Sequence, residues 1–356
     1  MSKSVRRVSV PDVIANMIMK TPLILLFGVL FWACPGSGSA EPIFAKIATT
    51  LPADHPTVEA LRFFKKDIAE ASNGQMAIRI FSDTELGSPS QLLNGLQFGN
   101  IEMGVLSSEM LAASFPTLQT ILMPYVFRDP VHKYRVLDGP IGKALLQQLE
   151  QANLIGIGFL ATDSRNFLLK SKAVTQPEDF AGREIGVPRA CPLAECHDVT
   201  LNLMRDTLSA LGATPRIIEM DAILPFFQQK TSDGIELSLT RMPQLPLKEM
   251  GTTQVLVDAH TAIPDIFIVS QRWFEKLQPE QQQQLRRSAN KMIQFQRDIV
   301  DERNQQIALG FENGGTTLHF VEQEMFFQAV QPVYKKKAQE FGLPFEDILR
   351  SIYEVH

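Results

Sequence analysis

The chain has 356 residues, 45% of them hydrophobic and 21% charged, which is long enough for two lobes because a single core stops growing near about 250–300 residues. The formal charge is -5, and residues 1–40 alone carry +3, so the remainder carries -8. An acidic body argues against nonspecific nucleic-acid binding, which needs a basic footprint, and leaves room only for a local basic cleft.

In chain order, Arg6, Arg7 and Lys20 precede the apolar run from Pro22 to Trp32, and the small residues Gly36, Ser37, Gly38, Ser39 and Ala40 follow. That is the layout of a secretory signal peptide, with residues 1–40 removed, and it predicts an exported protein. The apolar run is too short for a comfortable membrane span. Cys34 offers a lipid-anchor alternative in a poor lipoprotein context, and the segment after Arg6-Arg7 fits a twin-arginine signal badly. Cleavage leaves Cys191 and Cys196, which in an exported chain predict a local disulfide.

Ile43 to Ala48 alternates as a strand. The turn-forming stretch Leu51 to Pro56 follows, with Thr57 as the expected cap of a helix through Val58, Leu61, Phe64 and Ile68. Met76, Ile78 and Ile80 make the next strand, Ser88-Pro89 starts a helix that Gly99 stops, and Ile101 to Leu106 is a strand. This alternation predicts an α/β lobe with a substantially parallel sheet. Loops leaving the strand ends converge on a crevice in such sheets. His55, Ser107, Ser108 and Tyr125 fall on loops of this kind, where each has a bland alternative as turn, cap or core residue.

Leu154 to Leu160 is the next strand, followed by Arg165, whose fork of fixed donors suits a carboxylate. Pro177 to Phe180 reads as a helix start and Ile185 to Val187 as a strand. Leu201 to Leu211 is helical, Pro215 to Met220 a strand, Ala222 to Gln229 helical and Gly234 to Leu239 a strand. Two apolar runs, Val255 to Val257 and Ile266 to Ser270, bracket His260 and Pro264; His260 is either a satisfied structural histidine or a cleft residue. A long helix is expected from Pro279 to about Leu309, with Leu285, Met292, Phe295, Ile299 and Ile307 as its buried stripe. About thirty helical residues span roughly 45 Å, enough to brace two lobes. Phe326 to Phe341 and Asp347 to Tyr353 read as packing helices.

Catalytic patterns are lacking in the sequence. Gly156-Ile157-Gly158 has no third glycine, no His-Glu-x-x-His motif occurs, and neither Ser107 nor Ser108 lies in a Gly-x-Ser-x-Gly elbow. His197 alone completes no zinc set beside the cysteines. The expectation is a non-enzyme without cofactor or metal.

Arg165-Asn166-Phe167 followed by Pro177-Glu178-Asp179-Phe180, Gly182 and Ile185-Gly186-Val187-Pro188 resembles the DctP-type substrate-binding proteins of tripartite ATP-independent periplasmic (TRAP) transporters. Leu86-Gly87, Gln97 to Met103, Leu122 to Asp129, Gly212 to Pro215 and Asp233 to Glu236 are similar to family landmarks, in family order. The resemblance implies a two-lobed periplasmic binding protein fold with a hinged cleft and a long bracing helix. Lobe I would comprise 41–162 plus about 255–278, lobe II 163–254, and 279–356 would pack on both. It also implies a receptor that closes on a small organic acid and delivers it to membrane permease subunits, acting as a monomer. A ligand sensor docking on a receptor kinase is the alternative.

By resemblance Arg165 contacts the ligand carboxylate, and Ser107, Ser108, Tyr125, His55 and Glu236 join the candidate contacts. The sequence departs from the family at Gly186, where a second arginine is usual, and at Leu237, where an asparagine is usual. The segment after Pro188 is also longer than usual. Two readings compete: Arg189 or Arg205 supplies the second charge, or Gly186, Leu224 and Leu237 open a larger, more apolar pocket. The second is preferred, since glycine removes volume as well as charge. It implies a ligand bulkier or less anionic than a simple dicarboxylate.

Overall fold

Period-two alternation and short apolar runs become strands in the computed structural model, which describes residues 42–170, 173–189, 198–250, 254–313 and 316–356. Among the described residues the strands form two sheets. β1 (Ile43–Ala48), β2 (Met76–Phe81), β3 (Met103–Ser107) and β4 (Leu154–Leu160) begin the first. β5 (Ser164–Leu169), β6 (Glu184–Arg189), β7 (Thr214–Glu219), β8 (Ser232–Ser238) and β9 (Gln254–Ala262) build the second. β10 (Asp265–Ser270) returns to the first sheet and β11 (Thr317–Phe320) ends the second. The spatial orders are β2-β1-β3-β10-β4 and β11-β9-β5-β8-β6-β7. β1 runs parallel to both its neighbours, whereas β10 lies antiparallel between β3 and β4.

The chain thus crosses between the sheets three times, through the short links Ala161–Asp163 and Ile263-Pro264 and again by the segment between β10 and β11. The second crossing follows β9, not precedes it, so His260 lies within a strand of the second sheet. Tertiary pairing rather than local pattern settles this, because β9 is long enough to reach both β5 and β11.

Helix starts follow capping chemistry with one shift. The first helix runs Pro56–Ala71 and is capped by His55 rather than Thr57. Pro56 has no N–H to satisfy and its fixed φ suits a first turn, while the His55 Nδ1 accepts from the Thr57 N–H at 3.2 Å. The helix Pro89–Phe98 ends at Gly99, whose φ of 78° is the left-handed stop. Pro177–Phe180 is a single 3-10 turn, not a helix start. The cysteines Cys191 and Cys196 lie outside the described residues.

The long helix runs Pro279–Asn313. Leu285, Ala289 and Met292 are fully buried with Phe64 and Phe267 against the first sheet, while Phe311 joins the cluster of Leu168 and Ile235 of the second sheet and the helical Phe227. Burial of each such large side chain is worth about 1.5–3 kcal/mol, so the helix ties to both sheets. Its buried face also carries Gln296 and Arg297, which the apolar periodicity passes over. Gln296 accepts from the Ala161 N–H at 2.8 Å and donates to the Ala161 carbonyl at 2.9 Å. Arg297 grips Asp138 through two nitrogens at 2.7 and 2.8 Å and donates to the Phe159 carbonyl. The helix therefore holds the first crossing by hydrogen bonds, not by packing alone. Among the described residues no helix is long and apolar enough to cross a membrane.

Candidate functional site

Arg165 stands near the start of β5, where the register with β9 shifts between Arg165 and Phe167 while the pairing with β8 stays regular. There Arg165 Nε and Nη2 both donate to Glu236, the second at 2.5 Å, in a bidentate pair. Glu236 is fully buried, and His260 Nε2 lies 3.3 Å from its Oε1. The other ring nitrogen of His260 sits 3.0 and 3.2 Å from the two Asp258 oxygens. Tyr125 Oη donates to Asp258 Oδ2 at 2.8 Å, and Phe167 stacks on the imidazole at 4.5 Å.

The charges of this buried chain are set by one another. Burial disfavours the Glu236 carboxylate, but Arg165 and His260 outweigh it and draw the group down to about 2. Burial likewise disfavours the imidazolium, but Asp258 and Glu236 raise His260 to about 9. His260 is therefore a cation with a carboxylate at each nitrogen, the satisfied structural histidine of the two alternatives. Burial, then Asp258, pushes the Tyr125 phenol up and keeps it a donor.

On the outer side of Arg165 a cavity of about 520 Å³ opens between the sheets. The loop Leu51 to Pro56, the first crossing, Ile263 of the second, the stretch after β8 and the long helix at Val300 and Arg303 all border it. Its size suits a small-molecule site, which falls in the range of about 300–1,000 Å³. Arg165 keeps Nη1 without a partner among the described residues, and Arg241 and Arg303, both exposed, likewise have none for their side chains. His55 also faces the cavity. Burial, with Arg303 adding to it, lowers its pKa to about 4. The ring is thus neutral, and because Nδ1 accepts from Thr57 the proton sits on Nε2, which makes His55 a donor there. Asp163, which accepts from the Thr240 hydroxyl, and Asp265 supply carboxyl groups.

The other expected contacts fall elsewhere. Ser107 accepts from the Glu109 N–H as a helix cap, and Ser108 is fully buried with its hydroxyl unpartnered. Both stand beside Asp265, which pairs with Ser107 in the sheet, while the Ser108 N–H donates to the Pro264 carbonyl. Neither borders the 520 Å³ cavity. Tyr125 is buried against Asp258 and His260, and the cavity it borders is a different one of about 580 Å³ near the C-terminal helices. Arg189 donates to both Asp198 oxygens at 2.9 and 3.2 Å. It borders a smaller space of about 60 Å³ on the inner side of Arg165, with Glu109 and Glu236.

Gly186 and Leu237 do not enlarge the cleft, contrary to the expectation. A Cβ at Gly186 would lie 2.6 Å from the Phe226 ring and 2.9 Å from Ile235, so the vacated space is already filled. Leu237 points into the same apolar cluster as Phe226, Ile235 and Met242, because strand alternation turns it away from Glu236. Leu224 packs against that cluster too. What sequence reading missed, Asp163, Arg241, Asp265 and Arg303, stands on segments distant in the chain and carries no local motif.

Residues 47–340 match the family described as DctP, bacterial extracellular solute-binding protein, family 7. The 2,3-diketo-L-gulonate-binding periplasmic protein YiaO of Escherichia coli is 24% identical over 72% of this chain and 74% of its own. A solved TRAP periplasmic solute binding protein from Ochrobactrum anthropi superposes with a TM-score of 0.79 at 23% identity, covering 88% of this chain and 95% of that one. Another, from a Bradyrhizobium strain and in complex with galacturonate, gives 0.68 at 26% identity, covering 87% and 99%.

Proposed function

The chain belongs to the bacterial extracellular solute-binding proteins, family 7, and from that premise we propose that it is the periplasmic receptor of a TRAP-type transporter for a sugar acid. Family members are solute-binding proteins rather than enzymes. The observation that carries the ligand class is the mixed lining of the 520 Å³ cavity. Unpaired guanidinium groups suit one carboxylate, while the His55 donor and the Asp163 and Asp265 carboxyls suit several hydroxyls. A hydroxylated mono-acid meets both needs. It is also bulkier and less anionic than a simple dicarboxylate. The galacturonate complex and the diketogulonate-binding relative support the same class.

In this reading the two sheets are the cores of two lobes, and Ala161–Asp163 with Ile263-Pro264 form the hinge between them. Closure on the ligand changes the surface offered to membrane permease subunits, and it requires that the ligand bind the closed form more tightly. Residues 1–40 serve as the export signal. Arg165 orients the ligand carboxylate through its free Nη1, since Glu236 already holds Nε and Nη2. Ser107 and Ser108 shape the cleft wall behind Asp265, Glu236 and Tyr125 support the buried chain behind Arg165, and Arg189 ties the end of β6 to Asp198.

Titration calorimetry of the chain from residue 41 with D-galacturonate, D-glucuronate and D-gluconate tests this. Replacing Arg165 by alanine would strand Glu236 in the interior, so Arg165→Lys, which keeps the charge but not the fork, is the sounder variant. We expect binding of at least one acid by the parent and at least a tenfold loss in Arg165→Lys. A folded variant with undiminished affinity refutes the role of Arg165.

A further inference from the structure

We propose that Asp265 is the residue that selects the ligand by its non-carboxylate end, accepting a hydroxyl there and turning away a second carboxylate. The inference rests on the sugar-acid reading above and deepens it.

Asp265 is the first residue of β10, directly after the second crossing, and it borders the same cavity as Arg165. Its strand is held on both sides, by β3 at Ser107 and by β4 at Leu160, so its position is set by ladder hydrogen bonds rather than by a loop. The side chain has no hydrogen bond or ion pair among the described residues. That sets it apart from the neighbouring carboxyls: Asp163 takes the Thr240 hydroxyl, Glu236 takes Arg165, and Asp258 takes His260 and Tyr125. Burial alone raises Asp265 to about 7, and among the described residues no cation pulls it back.

A half-buried carboxyl without a partner carries a desolvation cost that a donor relieves. Among the described residues the cavity supplies none to it, so a donor on the ligand is the group that fits there. The guanidinium groups that line the cavity take the anionic end, which leaves Asp265 to meet whatever the ligand carries elsewhere. A hydroxyl donates to it. A second carboxylate placed there either faces the ionised carboxyl, like charge against like charge, or makes it take up a proton, and in both cases it binds less well than a hydroxyl that simply donates. One residue thereby favours hydroxylated mono-acids and disfavours dicarboxylates.

The test compares the parent chain with Asp265→Asn, which preserves shape, and with Asp265→Ser, which keeps a small polar group should the amide perturb folding; thermal melts establish that each is folded. The probes are D-galacturonate, D-glucuronate, D-gluconate and succinate, titrated calorimetrically. We expect the parent to prefer its best sugar acid over succinate by at least 100-fold. We expect both variants to narrow that ratio at least tenfold, by weakening the sugar acid, strengthening succinate, or both. Folded variants with the parent's ratio overturn the role of Asp265 while leaving the sugar-acid reading intact. A parent that binds none of the sugar acids, or that prefers succinate, overturns that reading and the inference with it.

Discussion

Glu236 and His260 are each fully buried, and each is tolerable there only because the other and its outer partner are present. Their effects on stability run in opposite directions with pH. Glu236, drawn from 4.5 to about 2, contributes stability that is complete above 4.5 and lost as pH falls through 2. His260, raised from 6.5 to about 9, contributes stability that is complete below 6.5 and lost as pH rises through 9. Asp265, raised from 3.8 to about 7, costs stability over that interval and adds nothing further above it. The limb between about pH 7 and 9 is therefore the one in which His260 dominates among these groups. The melting temperature is expected to fall across it, and His260→Gln to flatten it; a parent curve level from pH 7 to 9 would contradict this account. Gly186 makes a second residue-scale case. Because Phe226 occupies the place of its missing side chain, Gly186→Ala is expected to cost about 1–3 kcal/mol in urea denaturation. A cost below about 0.5 kcal/mol would mean that open space lies there after all.

Among the elements, the long helix Pro279–Asn313 does more than its amphipathic pattern announces. Leucine and methionine at helical spacing make the packing face legible from sequence. Gln296 does not stand out, since a glutamine in a Gln-rich helix reads as solvated. Its amide nevertheless pairs with both backbone groups of Ala161 and donates to the Thr57 hydroxyl at 3.2 Å. Gln296→Leu would leave the Ala161 N–H and carbonyl buried without partners, and is expected to cost about 2–4 kcal/mol in urea denaturation. The exposed Gln294→Leu on the same helix is expected to stay within about 0.5 kcal/mol. Equal costs for the two would remove the case that this helix holds the first crossing. The strands show a similar split: β1 and β2 follow their alternation, whereas the pairing of β9 with the second sheet depends on partners far away in the chain.

For the whole molecule, the proposal is that ligand and closure are one equilibrium. A ligand at about 100 times its Kd stabilises the native state by about 2.7 kcal/mol, a rise of roughly 5 °C in melting temperature for a chain of this size. D-galacturonate or D-glucuronate is expected to produce that shift together with a smaller radius of gyration in solution scattering. A melting shift without compaction would point to binding that does not move the lobes. The two short crossings lie against the cavity, so the groups proposed to bind the ligand and the groups proposed to bend are neighbours.

Sequence alone determined the α/β class, most of the strand and helix order and the long brace, though not β11, because periodicity, caps and ordered landmarks are local properties of the chain. It could not decide what surrounds Arg165. Whether Gly186 opens a pocket depends on Phe226, whether Arg165 is free depends on Glu236, and whether Asp265 has a partner depends on every segment around the cleft. Those are contacts between residues tens to hundreds of positions apart, made only when the two sheets come together, and no local pattern encodes them.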